Sequence, residues 1–305
     1  MSAIVFPGQG SQYVNMAMDF NKSFQISRDV FDEIEDSTGI YIRKIITENQ
    51  QDKLNQTNFT QIAVFSSSIV IFQTLLSEIG SININPKIML GHSLGEYTAL
   101  VANKTLSLKD ASKLIKIRGE LMHSAIKANT SGMAAIIGKS ANEIEVIIKN
   151  NNLDIVVAND NSPMQVVVSG LIENLKLSED YFLKNGAKRF VKLNVSSAFH
   201  SNYMVEAQNK LIKEIDQIKF RDSKIPVISN YDASINENVD KILFALKKQM
   251  ANKVKWTDSI KKLEETDINK VIEIGPSKVL SGLISRITKK FDIISIDKVT
   301  DLEKF

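Results

Sequence analysis

Apolar positions along the chain follow two rhythms. Over residues 15–79 they recur at three- and four-residue spacings, as in Val30, Phe31, Ile34 and again Ile62, Phe65, Ile69, Phe72, which predicts helices carrying core-facing stripes. Short runs of apolar residues bounded by turn residues predict strands instead. Residues 3–6 are one, stopped by Pro7-Gly8-Gln9-Gly10. Residues 87–90, opened by Pro86, are another; they run into G-H-S-L-G and then a helix-forming segment. A further helix is predicted from Leu108 to about 128, with Leu114, Ile115, Arg118 and Met122 on its apolar stripe.

Between Gly132 and Asn194 the texture changes. Strands at 133–137, 155–158, 165–169 and 188–193 are separated by helices at 141–150 and 172–185, in the order βαββαβ. That order predicts a ferredoxin-like unit, an antiparallel sheet with two helices on one face. Beyond it come 195–200, a helix to about 218, a strand at 225–229, a helix around 242–250, a strand at 270–274, and a helix begun by Gly275-Pro276-Ser277 and running through 287 with proline near its start. Strands separated by helices on both sides of the insert predict a mainly parallel sheet. The expected organisation is an α/β protein with a large domain made of 1–128 and 196–305 and a small inserted domain at 129–195.

Composition narrows the function. The 305 residues are 43% hydrophobic and 24% charged, as in an ordinary globular chain. There are no cysteines and three histidines, which removes disulfides and thiol nucleophiles and implies no metal site. The net charge of +3 comes from lysines mixed with Asp and Glu, so no nucleic-acid role is indicated. The N-terminus lacks a basic region and a long apolar run, and the longest apolar tract, 62–76, is broken by Ser66, Ser67 and Ser68. A buried helix, no membrane span and a cytoplasmic location are the expectations.

Within G-H-S-L-G the glycines Gly91 and Gly95 allow a sharp strand-to-helix turn with Ser93 at its tip. Ser93 is the candidate nucleophile, and the N–H of Leu94 would face a developing oxyanion. The loop at Gln9, flanked by two glycines, would supply the second donor. A serine needs a base, and only His92, His123 and His200 exist. His92 sits inside the turn and should point away from the hydroxyl, and His123 reads as a surface or boundary residue, which leaves His200 in S-S-A-F-H-S. An arginine on an apolar stripe, Arg118, needs a carboxylate partner or several acceptors; the carboxylate would be an internal acid or a substrate's.

Six ordered blocks, F-P-G-Q-G-S-Q at 6–12, G-H-S-L-G-E at 91–96, Arg118 in I-R-G, N-S-P-x-Q-V-V-V-S-G at 161–170, A-F-H-S at 198–201 and E-I-G-P-S-K-V-L at 273–280, together resemble the malonyl-CoA:acyl carrier protein transacylases of bacterial type II fatty acid synthesis. The resemblance spans nearly the whole chain. It implies a large α/β-hydrolase-like domain with a small ferredoxin-like insert and a cleft between them. It implies Ser93 as acyl nucleophile, His200 as base, Gln9 and Leu94 as oxyanion donors, and Arg118 on the malonyl carboxylate. Gln249 would orient His200 through its main-chain carbonyl. Asn161 and Phe199, in the matched blocks, complete the site candidates. Coenzyme A thioester enters as substrate with no bound cofactor; malonyl-CoA and acyl carrier protein are the partners of an expected monomer. Asn15, Ile62, Lys253 and Ser277 depart from the family pattern, and Asn15 is the substitution that best tolerates a left-handed turn. A polyketide-synthase-loading acyltransferase of the same family, a serine thioesterase or esterase, and an inactive binding module are the competing readings.

Overall fold

A computed structural model describes residues 1–127 and 130–305. Among the described residues ten strands form two sheets: β1 Ser2–Phe6, β2 Pro86–Gly91, β3 Ser131–Ile137, β4 Ile155–Ser162, β5 Gln165–Leu171, β6 Arg189–Lys192, β7 Val227–Ile228, β8 Ile235–Asn236, β9 Lys270–Ile274 and β10 Asp292–Ile296. The first sheet runs β10-β9-β1-β2-β7-β8 and is parallel except for the final β7–β8 pair. β1 is buried along its whole length, as a central parallel strand with both faces covered must be. Its side chains alternate between two cores: Ile4 and Phe6 join Met89, Ile272 and Ile274 on one face, and Ala3 and Val5 join Leu90 and Val271 on the other.

The second sheet, β4-β5-β3-β6, is antiparallel throughout and has the ferredoxin-like order expected from the βαββαβ pattern. Helices Ala141–Asn150 and Ile172–Lys184 cover one face, with Ile144, Ile147, Leu175 and Phe182 packed on Ala134, Ile136, Val166 and Val168. The opposite face, with Met133, Ala135 and Val167, joins the main core. Main-chain bonds from Val254 N to Ala158 O and from Asp160 N to Val254 O tie β4 to the other sheet's chain.

The tract at 62–76 is helical and buried, as expected, but the helix extends beyond it to 23 residues, Thr57–Ile79, and is the one helix among the described residues long and apolar enough to cross a membrane. It is packed on all sides as the central helix of the main core, with Ser66, Ser67 and Ser68 fully buried, and the Ser66 hydroxyl turned back onto Ile62 O at 2.7 Å. The helix from Leu108 is described to Ser124, and both its expected end and the domain boundary at 128/129 lie outside the described residues. Pro276 does not open a helix: 275–278 form a bend and the helix is Val279–Ile287. The helix Trp256–Glu264 and strands β8 and β10 were not expected. Asn15 has φ 67°, the left-handed backbone its side chain tolerates. Ser277, where the family pattern has glycine, also has φ 67°, and its hydroxyl bonds to Ser11 O at 2.9 Å.

Candidate active site

β2 ends at Gly91, and Ser93 caps the helix Leu94–Ala102 with φ 51° and ψ −100°, a conformation costing a non-glycine residue about 1–3 kcal/mol. The two glycines are required by contact. A Cβ on Gly91 would overlap the main chain of Gly95, and one on Gly95 would overlap the carbonyl of Phe6 at the end of β1. Gly8 is pressed just as tightly onto the carbonyl of His92, which brings the Gln9 loop against the elbow.

The Ser93 hydroxyl lies 2.9 Å from His200 Nε2. His200 Nδ1 faces two carbonyls, Gln249 O at 3.0 Å and Asn252 O at 3.2 Å. Carbonyls only accept, so Nδ1 carries the proton and Nε2 turns its lone pair to the serine. Burial, reinforced by the nearby Arg118 charge, lowers the His200 pKa to about 3, so the ring is neutral at pH 7. No acidic group contacts it among the described residues; main-chain carbonyls set its orientation.

Arg118 is 1% exposed. Its Nη1 donates to Gln61 Oε1 at 2.6 Å, and its Nη2 donates to Gln249 Oε1 and to Ser93 Oγ, each at 3.0 Å. The guanidinium also sits over the Tyr97 ring, 5.1 Å from its centroid. It takes part in none of the ion pairs among the described residues, and its Nε has no hydrogen-bond partner there. Burial without a paired carboxylate pushes its pKa down. The internal ion pair, one of the two readings open at this position, is therefore not what the fold provides.

Ser93, His200 and Arg118 line one cavity of about 310 Å³ between the two sheets, together with Gln9, Leu94, Asn161 and Phe199. The main-chain N–H groups of Gln9 and Leu94 donate to no group among the described residues. His92 points away from the serine, as expected: its Nε2 is 2.8 Å from Asn161 Oδ1 and its ring packs on Trp256. His123 is exposed near the end of its helix. Phe199 borders the cavity while its carbonyl accepts from Ser169 Oγ at 2.6 Å.

Sequence reasoning missed three residues. Gln61 holds Arg118; Asn230 bonds the elbow's main chain, with Ser93 N donating to its Oδ1 at 2.6 Å; and Glu96 is a buried acid under the elbow. Glu96 Oε2 accepts from Gln249 Nε2 at 2.6 Å and Asn230 N at 3.1 Å, and burial raises its pKa to about 7. A lone charge on the otherwise uncharged segment 94–102 was a visible signal for Glu96; Gln61 and Asn230 had none.

A serine on a strand-to-helix elbow, with a histidine ring nitrogen on its hydroxyl, is an arrangement suited to acyl transfer to and from that serine. The acyl transferase domain model matches residues 3–302, and the chain belongs to that family. It is 35% identical over 305 residues to the malonyl CoA-acyl carrier protein transacylase of Bacillus subtilis (strain 168), covering 99% of this chain and 95% of that one. It is 39% identical over 289 residues to the polyketide biosynthesis protein PksE of the same organism, covering 94% of this chain and 36% of that longer protein. Among solved structures, the malonyl-transacylase PlMCAT in complex with the holo form of AntF, a type II polyketide acyl-carrier protein, superposes with a TM-score of 0.94 at 33% identity, over 99% of this chain and 98% of the other.

Proposed function

We propose that this chain is a malonyl-CoA:acyl carrier protein transacylase, moving malonyl from coenzyme A to a carrier-protein phosphopantetheine thiol through an ester on Ser93. The observation that carries the reading is the buried Arg118, held only by neutral acceptors and within 3.0 Å of the Ser93 hydroxyl. A buried cation beside the nucleophile, lacking its own carboxylate, suits an acyl group that brings one.

His200 takes the Ser93 proton as Oγ attacks the thioester carbonyl. The oxyanion forms against the Gln9 and Leu94 N–H groups. It collapses with cleavage of the carbon–sulfur bond, and His200 returns the proton to the departing coenzyme A thiolate. The carrier thiol then gives its proton to His200 and attacks the serine ester. A second tetrahedral oxyanion collapses, and Ser93 recovers its proton from His200. Each half needs the same parts, as in ping-pong transfer. The thioester is the only coenzyme involved, and it is substrate.

We divide the chain into a catalytic domain of 1–128 and 196–305 and an insert of 129–195, a division supported by the two separate sheets. A cytoplasmic monomer is the working form we assign; burial of the one long apolar helix is compatible with it. Supply of malonyl-carrier to fatty acid synthesis is the first reading, favoured by near-complete coverage of the Bacillus subtilis transacylase. Loading of a polyketide carrier is the second, favoured by the PksE and PlMCAT likenesses. Malonyl-CoA consumption measured with and without holo carrier protein tests the transferase reading. Coenzyme A release in multiple turnovers should require the carrier; free malonate formed at the full rate without it would make the protein a hydrolase.

A further inference from the structure

The elbow's strained geometry must be held by something other than its glycines, which permit the turn without enforcing it. Ser93 has φ 51°, a value that serine rarely adopts, and its own N–H lies at the N-terminus of a helix where no turn of the helix can accept it. Asn230, two residues beyond the end of β7 and fully buried, meets both sides of this turn. Its Oδ1 accepts from Ser93 N at 2.6 Å, and its Nδ2 donates to Gly91 O at 2.7 Å. One planar amide thus spans the residues on either side of His92.

Asn230 is itself fixed. Its N–H donates to Glu96 Oε2 at 3.1 Å, the same oxygen that accepts from Gln249 Nε2. Gln249 Nε2 in turn reaches Ser93 O at 2.8 Å. The Ser93 N–H is held by the Asn230 side chain and the Ser93 carbonyl by the Gln249 side chain, with Glu96 joining the two holders. Two main-chain groups of the elbow, the Ser93 N–H and the Gly91 carbonyl, are held by Asn230, and a neutral amide offers the required acceptor and donor at once where an ionised carboxylate offers acceptors only.

We infer that Asn230 is the positioning residue that keeps Ser93 in its attacking conformation, acting through the elbow main chain and touching neither acyl group nor coenzyme. The inference rests on Ser93 being the nucleophile, as proposed above, and not on malonyl being its acyl group. Because Asn230 acts on the serine and not on the substrate carboxylate, its loss lowers the acylation rate for every acyl donor by the same factor. This distinguishes it from Arg118.

The test uses the full-length protein, with a fluorophosphonate probe to read Ser93 reactivity independently of the acyl donor and with malonyl-CoA and acetyl-CoA as donors. In Asn230→Ala the single-turnover rate of Ser93 labelling should fall about 10²-fold, the scale of a displacement near 1 Å at a reacting atom. Malonyl over acetyl preference should be unchanged. Asn230→Asp controls for folding: it keeps the acceptor for Ser93 N but, when ionised, sets a carboxylate against Gly91 O. Its labelling rate relative to wild type should recover as pH is lowered and the acid regains a proton to donate. A folded Asn230→Ala labelled at the wild-type rate would overturn the inference, as would an Asn230→Asp ratio that does not change with pH. Labelling of the wild type by fluorophosphonate but not by malonyl-CoA would remove the malonyl reading and leave the role of Asn230 to be judged on the probe alone. Wild-type protein that neither reagent labels would end both.

Discussion

Replacing Arg118 by alanine should convert a malonyl-selective site into one that no longer distinguishes malonyl from acetyl. The guanidinium is 1% exposed, and its described contacts are three neutral oxygens from Gln61, Gln249 and Ser93 together with the Tyr97 ring. The Glu96 carboxyl acts on it only at a distance, with Gln249 between them, so a malonyl carboxylate would be its first directly bonded anion, desolvated along with it. Truncating one member of such a buried hydrogen-bonded charge pair costs about 2–5 kcal/mol, equivalent to roughly 30- to 5,000-fold in kcat/KM for malonyl-CoA. Acetyl has no carboxylate and leaves the charge unpaired, so removing Arg118 costs it nothing comparable. The Arg118 charge also holds the His200 pKa down, so without it the base is stronger. Acetyl acylation should be retained or improved. The assay is single-turnover acylation of Ser93 from each thioester, with thermal unfolding as the control for folding. Equal losses for the two acyl groups at unchanged stability would make Arg118 a general catalytic or coenzyme-binding residue and refute the selectivity argument.

His200→Ala should slow acyl transfer by about 10²- to 10⁴-fold, whereas His123→Ala, at an exposed position, should leave it near wild type; assaying both beside His92→Ala identifies the base. A histidine of pKa 6.5 would cost roughly 25-fold in neutral base between pH 7 and pH 5, but with His200 lowered to about 3 the acylation rate should stay level over that range, and a pH–rate profile with an acid limb near 6.5 would contradict the burial argument. Stability carries opposite signatures from the two buried groups. Between 6.5 and about 3 the unfolded chain binds the extra proton at His200, so stability is lost as pH falls. Between 4.5 and about 7 the folded chain binds it at Glu96, so that contribution is lost as pH rises. Urea midpoints should therefore show wild type losing ground to Glu96→Gln from pH 5 to pH 8, and parallel curves would count against the raised Glu96 pKa.

Features set by local sequence were the legible ones. The elbow could be read because its glycines answer to contacts within a few residues and to β1, which the chain pattern had already marked as a strand. The inserted sheet could be read because alternating apolar positions and two helical stripes came in an unbroken βαββαβ order. Helix Trp256–Glu264 carried a usable signal, with Trp256, Ile260 and Leu263 at helical spacing, that went unread. β7, expected as a strand over 225–229, pairs over only two residues, and the unexpected β8 also has two, so pairing across the sheet sets their extent more than composition does. The site's supports were the least legible. Asn230 meets Ser93 across 137 positions, and Gln249 meets it across 156. Amide side chains at such separations carry no periodic signal, and a lone asparagine reads as a turn residue until the sheet brings it beneath the elbow. The same holds for Arg118: its helical stripe indicated burial, but that its neighbours would be amides and not acids depended on Gln61 and Gln249 arriving from two other helices.

The central claim is a malonyl ester on Ser93 that a carrier thiol can discharge. Intact mass of the protein after incubation with malonyl-CoA, compared with acetyl-CoA and with the Ser93→Ala variant, tests it most directly. A single malonyl adduct on the wild-type protein, exceeding any acetyl adduct, mapping to the Ser93 peptide and disappearing on addition of holo carrier protein, is the predicted result. A malonyl adduct persisting at full occupancy in folded Ser93→Ala would contradict the account, as would a wild-type protein that consumes malonyl-CoA without ever carrying the adduct.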